Sequence, residues 1–259
     1  HPDLPQFIDL KTDLEKVTKA NISVRLSHEF MDAVKKDELY TLCYHREATG
    51  EVIEKAVNAR EIFRHIAEVN WDYGEPGALF WDRVKEWNLL SNTKEFSFAG
   101  VNPCAEEPLP AGGSCLLGSI NLARFVVNPF TSEAEFDFDA FKKTVHIAVR
   151  GMNEVLEEGL TMHPLEEQRE SVSNWRQIGL GIMGLADMLI QLGLIYGSQD
   201  ALEFCDKLGF VMADTAIAAS ALLAKELGPY PMYHEKDVME TPFFLENTSA
   251  ETAALVKQY

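Results

Sequence analysis

The 259-residue sequence contains no uninterrupted apolar run of about 18 residues, so no segment reads as a membrane span and no membrane partner is expected. It lacks an excess of positive charge: 23 Lys and Arg stand against 41 Asp and Glu, a net charge of −18. A general nucleic-acid binder needs a basic face to neutralise phosphates, so no nucleic-acid partner is expected. The acidity reads as a solvated surface, and it still allows a single nucleotide held by local N–H groups. Cysteine is scarce, with Cys43, Cys104, Cys115 and Cys205 the full set and no C-x-x-C pair among them. With the seven His scattered, neither a disulfide scaffold nor a zinc site is read, no metal is expected, and the chain reads as cytoplasmic. The opening His1-Pro2-Asp3-Leu4-Pro5 shows neither the basic nor the apolar region of a secretory signal.

What is present is the balance of a globular protein, 46% hydrophobic and 25% charged, long enough to bury a sizeable core. Ile22-Ser23-Val24-Arg25-Leu26 alternates like a strand, and Ser27 is placed to cap a helix beginning at His28. Ile62, Phe63, Ile66 and Val69 give a helix from about Asn58 to Trp71, ended by Gly74-Glu75-Pro76-Gly77. A helix is expected over about Asp139–Glu158, with Phe141, Val145, Ala148, Val149, Met152 and Val155 buried, and another over about Ala201–Leu227, closed by Gly228-Pro229. Strands are few and short, and no linker divides the chain. Cys43 and Cys205 read as small buried hydrophobes, Cys205 lying between Leu202 and Leu208 at core spacing.

Two stretches carry motif-like patterns. Gly179-Leu180-Gly181-Ile182-Met183-Gly184 matches G-x-G-x-x-G, but Ser171 to Ile178 before it is too polar for the buried strand that a dinucleotide site requires. Three glycines at a helix start then read as close backbone packing, with a NAD-binding oxidoreductase as the alternative. The second stretch, Asn102-Pro103-Cys104-Ala105-Glu106, places an amide, a thiol and a carboxylate at i, i+2 and i+4. In an extended segment these side chains share one face. They would bring a hydrogen-bonding group, a nucleophile or radical carrier and a general base into one pocket. The bland alternative is a turn with a buried Cys and an exposed Glu, in a nonenzymatic helical module. A carboxylate beside a thiol raises its pKa, which disfavours a thiolate nucleophile but not hydrogen-atom chemistry.

Asn102-Pro103-Cys104-Ala105-Glu106-Glu107-Pro108-Leu109-Pro110 with Gly113-Ser114-Cys115-Leu116-Leu117-Gly118-Ser119-Ile120-Asn121-Leu122-Ala123 resembles the finger-loop region of ribonucleotide reductase large subunits. His1-Pro2-Asp3-Leu4, Asn21-Ile22-Ser23-Val24, Glu75-Pro76-Gly77 and Gly179 to Asp187 extend the resemblance over essentially the whole chain. The resemblance implies an α/β fold, part of a ten-stranded barrel, helix-rich here, with the finger loop at about 100–120. It implies that Cys104 is the thiyl that takes the ribose 3′ hydrogen and Glu106 the base for the 3′-hydroxyl proton. Asn102 would hydrogen-bond the substrate, and Cys115 would be one of two reducing thiols. The implied substrate is a ribonucleoside di- or triphosphate, with allosteric nucleotides and a thioredoxin-type reductant as further partners. The radical source would be adenosylcobalamin or a separate metal-containing radical subunit, and the full-length enzyme a homodimer. No cofactor-binding residue is singled out. The second reducing cysteine, the nucleotide-sensing segment and the phosphate-binding loop are expected outside residues 1–259, which read as a central piece, inactive alone.

Overall fold

A computed structural model describes residues 1–114 and 116–259; Cys115 lies outside the described residues. The chain folds into two compact units, residues 1–86 with 101–108 and residues 87–100 with 109–259.

The first unit opens with α1 (Leu4–Ile8), a 3-10 turn at Asp9–Lys11, β1 (Ser23–Leu26) and α2 (His28–Lys36). In β1 the expected alternation holds, with Val24 and Leu26 buried and Arg25 exposed. Ser27 is the cap it was expected to be, its Oγ accepting the Phe30 N–H at 3.1 Å. There follow β2 (Leu39–Arg46), β3 (Glu51–Asn58), α3 (Ala59–Tyr73), β4 (Gly77–Phe80) and α4 (Trp81–Glu86). β1 and β4 pair in parallel from Ser23 opposite Gly77 to Leu26 opposite Phe80. Phe30, Ala59, Ile66 and Val69 pack with Val24 and Leu26 to form the core. The long antiparallel β2–β3 hairpin escaped the sequence reading because its residues are largely exposed on both faces, leaving no apolar alternation to find. Cys43 sits on β2 and is exposed, not the buried hydrophobe expected of it.

After the short paired strands β5 (Gly100–Val101) and β6 (Pro108–Leu109), the second unit continues with β7 (Leu117–Asn121), β8 (Val126–Val127) and β9 (Glu135–Phe136). Its helices and last strand are α5 (Phe138–Leu160), α6 (Glu166–Trp175), β10 (Gly179–Met183), α7 (Leu185–Leu192), α8 (Gln199–Leu227), α9 (Glu235–Met239), α10 (Pro242–Asn247) and α11 (Ala250–Gln258). β7 and β10 run parallel, Gly179 opposite Leu117 and Met183 opposite Asn121. These pairs, with helices between them in sequence, give the α/β character expected.

In α5, Asp137 caps the first turn by accepting the Ala140 N–H at 2.9 Å. Phe141, Val145, Val149 and Met152 are buried as expected, but Leu156 continues the stripe and Val155 is exposed. Of the expected pattern on α8 only Leu208 is buried, beside Ala201; Cys205 is half-buried and Leu202 is exposed. By length and composition α8 could also cross a membrane, since Leu208–Ala224 carries Asp214 as its only charge. Here Leu208 and Ala219 join Phe141 and Val145 of α5 in one core, and Arg150 of α5 pairs with Glu226 at 2.7 Å. α6 was not anticipated; its polar sequence buries only Ser171 and Val172, too few positions for a helical stripe to be legible.

Candidate functional site on the 102–107 loop

The loop between β5 and β6 is shaped by its own backbone. The Ala105 N–H donates to the Asn102 carbonyl at 2.9 Å, closing a turn with Pro103 at its second position, where the ring's fixed φ is already suitable. Ala105 then takes a left-handed φ of 69°. Across the mouth, the Asn102 N–H donates to the Glu107 carbonyl at 3.1 Å, and the Asn102 Oδ1 accepts the Glu107 N–H at 2.9 Å.

This corrects the extended geometry expected of Asn102, Cys104 and Glu106. The three do share one loop, but a turn followed by a left-handed residue replaces the pleat, so period-two alternation does not aim them. Cys104 and Glu106 are exposed and Asn102 is half-buried. The buried-Cys alternative therefore fails for Cys104: its thiol is a free, accessible group at the tip of a turn. Asn102 serves the loop itself through Oδ1, in addition to any role toward a ligand. The expectation for Cys115 falls outside the described residues.

Residues that the spacing did not reveal hold this loop in the first unit. Asn21, just before β1, donates from Nδ2 to the Pro103 carbonyl at 2.8 Å. Next to it, the Ile22 N–H donates to Glu75 Oε1 at 2.9 Å, while Lys11 Nζ lies 2.9 Å from Glu75 Oε2. The Lys11 bond, then the Ile22 N–H, hold the Glu75 carboxyl below its ordinary value of 4.5, against a smaller opposing effect of burial. No local pattern announces Asn21, because it and Pro103 are 82 positions apart.

In the glycine stretch close packing is seen at Gly184, while at Gly181 a Cβ would make only ordinary contact with Ser119. Gly179–Met183 is itself the strand β10, and α6, not a strand, precedes it. Gly184 has φ 72° at the start of α7, and a Cβ there would meet Asn121 Oδ1 at 2.5 Å. At Gly118, across the β7–β10 pair, a Cβ would meet the Met152 sulfur at 2.8 Å. Gly179 and Gly181 lie inside β10 and not in a loop after a strand, so the motif is not placed as a dinucleotide site requires. A separate cavity of about 1140 Å³ in the second unit lies among α5, α8 and the 228–259 segment, and Asn102, Cys104 and Glu106 do not line it.

The family model for the ribonucleotide reductase barrel domain matches residues 1–257, and the chain belongs to that family. It is 34% identical over 255 residues to the vitamin B12-dependent ribonucleoside-diphosphate reductase of Thermoplasma acidophilum, covering 98% of this chain and 32% of that one. To the protein of the same name from Mycobacterium tuberculosis it is 32% identical over 234 residues, covering 90% of this chain and 32% of the other. A ribonucleoside-diphosphate reductase subunit alpha from Chlamydia pneumoniae is 33% identical over 203 residues, 76% of this chain and 18% of its own. The chain thus spans about a third of the length of the first two relatives.

Proposed function

We propose that this chain carries the radical thiol of a reductase that converts ribonucleotides to 2′-deoxyribonucleotides. The observation that carries the reading is the exposed Cys104 at the tip of a turn, with Asn102 and Glu106 on the same loop, in a chain of the barrel-domain family.

In this reading, Cys104 as a thiyl takes the 3′ hydrogen of the ribose, forming S–H and leaving the unpaired electron on C3′. Glu106 accepts the 3′-hydroxyl proton, which eases departure of the 2′-hydroxyl, otherwise a poor leaving group. The 2′ C–O bond breaks and the oxygen leaves as water after gaining a proton. Two thiols supply two electrons and end as a disulfide, with Cys115 as one of them. Cys104 then returns its hydrogen to C3′ and is a thiyl again. Asn102 hydrogen-bonds the substrate beside the reacting hydroxyls.

The names of the Thermoplasma and Mycobacterium proteins favour adenosylcobalamin as the radical source and a diphosphate as the substrate. The accessible Cys104 fits such a source, because the group that oxidises it must approach from outside the loop; when bound, it supplies the radical. In the same reading the reductant is of the thioredoxin type, nucleotides regulate the enzyme, and a homodimer works in the cytoplasm.

The test is single-turnover product analysis with a 3′-deuterated ribonucleotide. Cys104→Ser is expected to give no deoxynucleotide, since a serine O–H bond is too strong for the hydrogen-atom exchange. Cys115→Ser is expected to begin 3′ hydrogen abstraction and then stall. Deoxynucleotide formation by Cys104→Ser would overturn the reading.

A further inference from the structure

We propose that Asn21 is a positioning residue for Cys104, setting the direction of its thiol by holding the Pro103–Cys104 peptide. The proposal rests on the reading of Cys104 as the radical thiol.

The hydrogen bonds inside the loop fix its internal shape: Ala105 to Asn102 closes the turn, and Asn102 with Glu107 closes the mouth. None of them engages the Pro103 carbonyl. That oxygen belongs to the peptide joined to the Cys104 nitrogen, so its orientation sets the axis from which the Cys104 side chain departs. Asn21 Nδ2 holds it at 2.8 Å.

Asn21 is itself attached to a fixed point. The neighbouring Ile22 is buried, its N–H bound to Glu75 and its carbonyl accepting the Gly77 N–H at 3.0 Å. Lys11 secures the other oxygen of Glu75. The Pro103 peptide is therefore tied, through one side-chain amide, to the head of the β1–β4 pair. Hydrogen-atom transfer depends steeply on approach geometry, and a shift of about 1 Å in a reacting group can lower the rate about 100-fold. Asn21 touches neither substrate nor radical source in this account; it acts through Cys104.

The test uses the turnover-competent reductase and three variants. In Asn21→Asp a carboxylate replaces the donor and repels the carbonyl. In Asn21→Ala water can take the carbonyl, so the effect is smaller. Cys104→Ser is the reference for the radical reading. Asn21→Asp is expected to lower kcat about 10- to 100-fold with KM nearly unchanged, the split expected when only the chemical step is misaligned. In the resting protein, alkylation of Cys104 by iodoacetamide, mapped by peptide mass and referred to the exposed Cys43, should depart from the wild-type ratio in both Asn21 variants.

Wild-type kcat and an unchanged alkylation ratio in Asn21→Asp, with Cys104→Ser inactive, would overturn the positioning role alone. Turnover by Cys104→Ser would overturn the radical reading, and the alkylation ratio would still report whether Asn21 orients the thiol. If activity in both Asn21 variants falls only in step with the folded fraction, Asn21 is structural and the proposal fails.

Discussion

Residues 102–107 and 179–184 both stand out in the sequence by their proline or glycine content, yet they use their backbones in opposite ways. In the first, local hydrogen bonds consume the backbone and leave Cys104 and Glu106 exposed to act on something else. In the second, the glycines bring backbone against neighbouring groups: β10 pairs with β7, and Gly184 lies where a Cβ would collide with Asn121. A stretch that presents reactive side chains is most sensitive to loss of those groups. A stretch that serves packing has the reverse sensitivity, and substitutions can set the two against each other.

The largest effect is expected at Cys104. Cys104→Ser should remove deoxynucleotide formation altogether, measured in single turnover, while the melting temperature stays near wild type because the residue is exposed. Next comes Glu106→Gln, which keeps the shape but cannot accept the proton. Turnover should fall about 10²–10⁴-fold with substrate binding retained, read by kcat and by equilibrium binding of the ribonucleotide.

Gly184→Ala is the counterpart on the packing side. A left-handed conformation costs a non-glycine residue about 1–2 kcal/mol, and the Asn121 contact adds to it, so urea denaturation should show a loss of at least that size. A Gly184→Ala protein as stable as wild type would remove the contrast between the two stretches. Smaller still is Ser27→Ala, which removes the α2 cap and should lower stability by about 1 kcal/mol in the same assay.

The smallest expected effect is a pH dependence at Glu75. Its carboxyl titrates below its ordinary value of 4.5 in the folded protein, so the stability it contributes is present above that value. It is lost as pH falls through the lower folded value. Stability measured against pH should therefore decline less steeply on the acid side, below about pH 4.5, in Glu75→Gln than in wild type. Identical acid limbs would mean that the Lys11–Glu75–Ile22 clamp contributes little.

Helices with a strong apolar stripe and a clear stop were legible from sequence. α3 ends at Tyr73 and α8 at Leu227 because a glycine with positive φ follows each. The β2–β3 hairpin and α6 were not legible, since neither buries a continuous face. The candidate site divides in the same way. The residue types at 102, 104 and 106 pointed to the chemistry, but period-two spacing assumed a pleat that the Asn102–Ala105 turn and the left-handed Ala105 replace.

The order of motifs along the chain was enough for the family resemblance, and that resemblance implied the α/β class and the identity of the candidate thiol. Each depends on residues near one another in sequence, or on residue type alone. Whether Cys104 is buried or exposed, how the loop turns, and which group orients it were decided only by the tertiary structure. Those properties arise from hydrogen bonds such as Asn21 to Pro103 and Ile22 to Glu75, whose partners lie 82 and 53 positions apart. Separations of that size leave no period in a sequence, because the chain between them sets the geometry only after it has folded.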